Sequence, residues 1–123
     1  MRIAMIYDAH DESGTAVFGP DRERLGEQRE RERLATYLRS GRLVLSTTGL
    51  DQDRMDHARG SVVPMSFRTD GEWVWSEALA YYVAEYGIAP EGEFRDHAAD
   101  LEYQLPEVSD EAARAASRLI LGR

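Results

Sequence analysis

Alternating apolar and polar positions predict strands in the first two-thirds of the chain. Residues 2–7 are apolar on both alternating faces, which is typical of a strand in the centre of a sheet. Residues 8–20 are rich in turn-forming side chains and are predicted to form a loop. Residues 42–47 combine leucine and β-branched side chains and predict a second strand, which an aspartate-rich loop over residues 48–60 follows.

The clearest local signal is a hairpin that carries both tryptophans. Residues 65–69 and 72–75 flank Asp70-Gly71, a dipeptide that favours a two-residue type I′ turn because both central positions of that turn need positive φ. With this turn Arg68 faces Trp73, and one face of the hairpin carries Arg68, Trp73 and Trp75. Such a face predicts either a surface covered by a helix or a cation–π platform for a ligand.

Helical periodicity predicts four helices. The first covers residues 21–40, with its apolar positions near the end and Gly41 as a left-handed cap. A second helix runs from the capping residue Ser76 to Tyr86 and ends at Gly87. The remaining two are predicted over residues 91–104 and from Ser109 to Gly122.

This order of elements predicts one α+β domain over residues 1–123. We expect a sheet of about four strands with a tryptophan-bearing hairpin, packed by about four helices, and an all-helical C-terminal part. The first strand, which ends in Ile6-Tyr7-Asp8, and the strand from Leu43 to Thr47 also resemble the ferredoxin-like α+β barrel of the YCII-related proteins. Beyond Gly60 three helices stand where that fold needs another α-β unit.

Composition excludes several classes of chemistry. All 15 basic residues are arginine and the chain has no cysteine. The sequence therefore lacks the lysine of a phosphate-binding loop, a Schiff-base amine, disulfides, thiolate metal sites and a cysteine nucleophile. No apolar run is long enough for a membrane span or a signal peptide, and we expect a cytoplasmic protein.

The net charge of −8 is unevenly distributed. Residues 1–69 contain 11 arginines and 11 acidic residues, whereas residues 70–111 contain 12 acidic residues and only Arg95. This anionic block is expected to repel nucleic acids and to attract a basic protein, although acidic surface also serves solubility alone. The predicted partner-binding residues are the acidic and aromatic side chains Trp73, Trp75, Tyr81, Glu85, Glu91, Glu93, Asp96 and Asp100.

Three histidines adjoin aspartates in the sequence, as His10-Asp11, Asp56-His57 and Asp96-His97. Imidazole and carboxylate can bind a metal or act as a general base, so a small metal-assisted or His/Asp-based hydrolase or isomerase is an alternative function. The spacing matches no stringent metal motif, and the prediction includes no metal, cofactor or catalytic residue. A calcium loop over Asp51, Asp53 and Asp56 lacks the required glycine and glutamate.

A third alternative is a small-ligand-binding regulatory domain with an aromatic pocket. The rings that would form this pocket belong to Trp73, Trp75, Tyr81 and Tyr82.

The segment from Arg68 to Phe94, RTDGEWVWSEALAYYVAEYGIAPEGEF, is similar to segments in small acidic immunity-type proteins of bacterial toxin systems. The resemblance covers about a quarter of the chain. It implies a non-catalytic inhibitor that neutralises a basic toxin or nuclease. With the clustered acidic residues, it makes an acidic protein-binding module our first functional hypothesis.

Overall fold

The computed structural model describes residues 1–122. Its helices are α1 (Gln28–Ser40), α2 (Glu77–Tyr86), α3 (Gly92–Asp100) and α4 (Asp110–Leu121), with a 3₁₀ turn at His57–Arg59. Its strands are β1 (Arg2–Ile3), β2 (Ala9–His10), β3 (Ala16–Val17), β4 (Arg42–Leu45), β5 (Leu50–Gln52), β6 (Ser61–Pro64), β7 (Phe67–Thr69) and β8 (Trp73–Ser76).

The main sheet has four strands in the order β1-β8-β7-β4. Strands β7 and β8 form the tryptophan-bearing hairpin, β4 pairs with β7 in antiparallel orientation, and β1 pairs with β8 in parallel orientation. Two small hairpins, β2-β3 and β5-β6, complete the strands. The first hairpin and β5 lie in regions predicted as loops, and β6 begins just after the second of these regions. The predicted α+β class, with a four-stranded sheet, four helices and a helical C-terminal part, is confirmed.

The first strand is shorter than predicted and lies at the edge of the sheet. It ends at Ile3, and the exposed fractions of Ile3 and Met5 are 46% and 64%. Beyond Ala4, whose N–H still donates to Val74, the chain leaves the sheet, and the N–H of Met5 donates to the Glu91 carboxylate at 2.9 Å. The prediction of a central strand over residues 2–7 is therefore wrong. The parallel pairing of β1 also differs from the antiparallel sheet of a ferredoxin-like fold.

The hairpin has a different register from the predicted one. Thr69 pairs with Val74 and Arg68 pairs with Trp75, so Arg68 does not face Trp73. Gly71 has a φ of 99°, but Asp70 does not have the positive φ that a type I′ turn requires. Instead, Oδ1 of Asp70 accepts hydrogen bonds from the N–H groups of Glu72 and Trp73, which makes an Asx-type turn.

The predicted caps of α2 and the predicted bounds of α4 are confirmed. Ser76 accepts from the N–H of Ala78 at the start of α2, and Gly87 ends that helix with a φ of 68°. Ser109 and Gly122 take the same roles in α4. These caps depend on neighbouring residues alone, which is why the sequence predicts them.

The other two helices are shorter than predicted. Helix α1 begins at Gln28 because the segment before it pairs with the chain after α2, where the N–H of Leu25 donates to Gly87 at 2.6 Å. Helix α3 ends at Asp100 because Glu102 and Tyr103 adopt left-handed backbone conformations, with φ of 53° and 58°.

The core has two parts. Trp73 and Trp75 pack with Phe94 and with apolar residues of α1 and α2 between the sheet and these helices. Tyr82, Val63 and Ile88 form the centre of a second cluster, on the side of α2 that faces the β5-β6 hairpin. Within residues 1–122, no helix has the length and apolar character needed to cross a membrane.

Candidate functional site

An acidic cleft of about 320 Å³ lies between the turn of the tryptophan hairpin, α3 and the start of α4. Its polar residues include Glu72 and Glu107 at the exposed rim and the partly buried His97. Its apolar floor is formed by Leu101, Pro106, Val108 and Ala112. None of the described residues that line it is an arginine.

Asp70 forms the inner wall of this acidic cleft and joins three elements. Its side chain is fully buried. Oδ2 accepts a hydrogen bond from the Tyr37 hydroxyl of α1 at 2.6 Å and lies 2.8 Å from Nε2 of His97 on α3. Its Oδ1 accepts the two backbone N–H groups of the turn. A buried carboxylate with this many donors is held in a single position.

The surroundings of Tyr37 make it a proton donor in this network. Burial, the hydrogen bond to Asp70 and the negative charges of Asp70 and Glu72 all raise the pKa of Tyr37 well above its usual value. The raised pKa favours the protonated hydroxyl, which donates to Asp70.

His97 lies between two carboxylates. Its Nε2 faces Asp70, and its Nδ1 lies 3.3 Å from Oε2 of Glu72. Glu72 is 75% exposed, so its side chain is free to move away and open Nδ1 to the cleft. Chemically, the pair of His97 and Asp70 can hold a cationic imidazolium or, with Glu72 displaced, present a ring nitrogen oriented by a buried carboxylate.

The two tryptophans predicted to anchor a partner are not at the surface. The exposed fractions of Trp73 and Trp75 are 5% and 0%, and Nε1 of Trp75 donates to the backbone oxygen of Leu38 at 2.9 Å. Tyr82 is also fully buried, which excludes the predicted aromatic ligand pocket. The partly buried Tyr81 donates its hydroxyl proton to Asp53 at 2.6 Å. The assignment of the two tryptophans as partner-binding residues is corrected: they are core residues.

The acidic block is partly neutralised within the chain. Glu85 pairs with Arg59, and both Glu91 and Glu93 pair with Arg2. In the described part of the chain no arginine forms an ion pair with the exposed acidic residues Asp96, Asp100, Glu102, Glu107 and Glu111. The unpaired negative charge is thus concentrated on α3, on the segment after it and at the start of α4.

The two other histidines are exposed and lie apart from the acidic cleft. His10 is in β2, and His57 is in the 3₁₀ turn that the side chain of Asp56 caps. Over residues 1–122 no group of three or more histidine, aspartate and glutamate residues is arranged to hold a metal ion.

Asp53, named above in the aspartate-rich loop, is a buried structural carboxylate. It accepts the hydroxyl protons of Tyr81 and Tyr86 at 2.6 and 2.7 Å and the N–H groups of Met55 and Asp56 at 2.8 Å. Burial by itself would raise the pKa of Asp53, but these hydrogen bonds outweigh it and lower the pKa below its usual value. This residue ties the β5-β6 hairpin to α2.

The lowered pKa of Asp53 predicts a specific loss of stability in acid. Because the folded pKa lies below the ordinary value of 3.8, this stabilisation is complete above that pH and declines as the pH falls through the folded pKa. We expect Asp53→Asn to lower the free energy of unfolding by about 1–3 kcal/mol near pH 7, and the difference from the unmodified protein to shrink below about pH 4. Urea unfolding of both proteins at several pH values measures this. A difference in the free energy of unfolding that stays constant down to about pH 2.5, roughly one unit below the ordinary pKa, would contradict this prediction.

Sequence reasoning missed the central pair of the cleft. It placed Asp96 beside His97, whereas the carboxylate that contacts the ring is Asp70, 27 positions away. The Asp70-Gly71 dipeptide predicts a turn, and no neighbouring residue in the sequence indicates that the Asp70 carboxylate is a buried hydrogen-bond acceptor. Comparison with protein-family models, curated proteins and solved structures gives no match to this chain.

Proposed function

We propose that the protein is a non-catalytic, acidic protein-binding module whose acidic cleft receives a basic segment of a partner protein. The observation that carries this proposal is the cleft itself, a depression with carboxylates at its rim, an apolar floor and no arginine among its described lining residues. A lysine or arginine side chain matches this combination, because its aliphatic stem packs on apolar surface while its charged end meets carboxylates.

The exposed acidic residues around the cleft supply long-range attraction. Asp96 and Asp100 lie four residues apart on α3, next to His97, and are free of arginine partners among residues 1–122. Charges in such positions increase the association rate of an oppositely charged protein. Glu85, Glu91 and Glu93 contribute less because each already faces an arginine. This charge layout favours a cytoplasmic inhibitor of a basic toxin or nuclease. The similarity of residues 68–94 to segments of immunity-type proteins favours the same class.

The test compares two variants with the same change in net charge. Glu72→Gln with Glu107→Gln neutralises the rim of the acidic cleft, while Glu12→Gln with Glu27→Gln neutralises two exposed acidic residues far along the chain from it. Each protein is used to capture partners from cells that express it, and captured proteins are identified by mass spectrometry. We expect a basic protein that the unmodified chain and the distant variant retain and the cleft variant loses. Identical capture by all three proteins would contradict the proposal.

Association kinetics with the captured protein test the role of charge. Neutralising Asp96 and Asp100 to asparagine is expected to lower the association rate about tenfold at low salt, and the deficit should shrink as salt screens the charges. Stability should change by less than about 0.5 kcal/mol, since both side chains are exposed. An association rate that responds to neither the substitutions nor the salt would exclude electrostatic recognition.

A general acid–base function is the second candidate, and the contact between His97 and Asp70 favours it. His97 retains 17% exposure and lines the acidic cleft, as a catalytic base oriented by a buried carboxylate would. Substitution of His97 by glutamine separates the two functions. Loss of cellular activity by a folded variant that still binds its partner would favour the enzyme, whereas retained activity favours the binding module.

A further inference from the structure

A second and larger groove lies at the C-terminal end of α3 and shares no lining residue with the acidic cleft. Its volume is about 640 Å³, within the range of small-molecule sites. Helix α1 forms one wall with Arg29, Arg33 and Thr36, and the segment after α3 forms the other with Tyr103 and Gln104. We call it the arginine groove.

Two guanidinium groups of the arginine groove have no ionic partner. Arg29 and Arg33 lie one helical turn apart on the exposed side of α1, and among residues 1–122 neither forms an ion pair. The acidic residues next to them in the sequence have other partners: Glu30 pairs with Arg95, and Glu32 accepts a hydrogen bond from the side chain of Gln28. Two arginines spaced by four residues on a helix present adjacent donors that suit a tetrahedral oxyanion.

The backbone opposite these arginines is strained. Glu102 and Tyr103 are the only non-glycine residues with positive φ in the described chain, and they are consecutive. Left-handed conformations are unfavourable for side chains other than glycine, and they persist where surrounding contacts hold them, often at ligand sites. Here they cap the C-terminus of α3, since the N–H groups of Glu102 and Tyr103 donate to helix carbonyl oxygens at 2.9 Å. The cap places the ring of Tyr103 against the main core, with its centroid 5.6 Å from Cζ of Arg33.

These observations converge on one place, and we propose that the arginine groove binds a small molecule that carries a phosphate monoester. The phosphate would lie between Arg29 and Arg33, with the hydroxyl of Thr36 and the amide of Gln104 as further donors on the two walls. The carboxylates of Glu32 and Glu102 also line the groove and disfavour a long polyanion. The ligand is therefore a single phosphate group on a small organic body, and not a nucleic acid.

Phenyl phosphate is a suitable probe because it joins one phosphate to a small ring. Calorimetric titration of the whole chain should show binding with a dissociation constant in the millimolar range or below, and inorganic phosphate should compete.

We expect Arg29→Gln and Arg33→Gln each to weaken this binding about tenfold, the effect of losing one charge-assisted hydrogen bond. Arg39→Gln is the matched control, because Arg39 is exposed on the same helix, forms no ion pair within residues 1–122 and lies outside the groove. It should leave the affinity within about twofold, a change of less than 0.5 kcal/mol.

Three results with phenyl phosphate would overturn the proposal. These are absence of binding at about 10 mM phenyl phosphate, equal affinity in the Arg29 and Arg33 variants and in the unmodified protein, and equal weakening by Arg39→Gln. Benzoate, which carries one planar carboxylate, should bind about tenfold more weakly, and equal binding of benzoate would exclude the phosphate assignment. Circular dichroism of each variant verifies the fold. The acidic cleft variants at Glu72 and Glu107 should bind phenyl phosphate unchanged, so failure of this proposal is distinguishable from failure of the protein-binding function.

Discussion

Substitution of Asp70 by alanine is expected to lower the free energy of unfolding by about 3–5 kcal/mol, the loss typical of breaking a buried charged network. The carboxylate accepts from the Tyr37 hydroxyl and from two backbone N–H groups, and it contacts the ring of His97. Its removal leaves buried donors without acceptors on α1 and in the hairpin turn. Because burial prevents water from replacing the lost acceptor, each donor retains most of its desolvation cost.

A double-mutant cycle identifies the network as the cause of this loss. Tyr37→Phe should cost about 1–2 kcal/mol in the unmodified protein and much less in the Asp70→Ala background, because the hydroxyl then has no acceptor to lose. Glu72→Gln is the control, since Glu72 is mostly exposed and should change stability by less than about 0.5 kcal/mol. Urea unfolding gives all these values. A loss below about 1 kcal/mol for Asp70→Ala, or strictly additive effects of the two substitutions, would contradict this account.

Local contacts were predictable from the sequence, whereas the long-range contacts of the Asp70 network were not. The ends of α2 and α4 are set by capping contacts that lie within a few residues, and the bounds of both helices were predicted; the capping residues are Ser76, Gly87, Ser109 and Gly122. The register of the tryptophan hairpin was not predicted, because the side chain of Asp70 forms an Asx-type turn in place of the two-residue turn. The same carboxylate also contacts Tyr37 and His97, which lie 33 and 27 positions away. Dipeptide preferences describe the isolated turn and carry no information about such distant partners.

The candidate site was predictable in charge but not in geometry. Counting acidic residues locates the anionic block, and the structure keeps part of it exposed around the acidic cleft. The sequence does not reveal that Arg2 and Arg59 neutralise other acidic residues of the block, since these pairs join distant segments. The tryptophans have an apolar ring and one donor, which suits a surface anchor and a core residue equally well. The acceptor for Trp75 is the backbone oxygen of Leu38, and this contact exists only when α1 packs on the sheet, so the sequence does not predict it.

Gly41 follows the end of α1 as predicted, but the physical reason for glycine at this position differs from the predicted one. The sequence predicts it as a left-handed helix cap, but its φ is −56°, a value that any residue adopts. Glycine is required because the surrounding atoms leave no room for a β-carbon. A β-carbon at this position would lie 2.6 Å from Cζ2 of Trp75, 3.0 Å from Cβ of Arg68 and 3.2 Å from the backbone oxygen of Thr69. The indole cannot move aside easily, because it is fully buried and its Nε1 is hydrogen-bonded to Leu38.

Gly41→Ala is therefore expected to lower the free energy of unfolding by about 1–3 kcal/mol, the usual cost of overpacking a core. Gly41→Asn should cost at least as much, whereas a left-handed cap accepts asparagine best after glycine. Gly92→Ala is the matched control, because Gly92 begins α3, lacks positive φ and has open space where its β-carbon would lie, so alanine there should stabilise the fold by up to about 1 kcal/mol. Thermal and urea unfolding of the three variants decide between the two reasons for Gly41. If alanine proves neutral, or asparagine proves milder than alanine, the steric explanation is wrong.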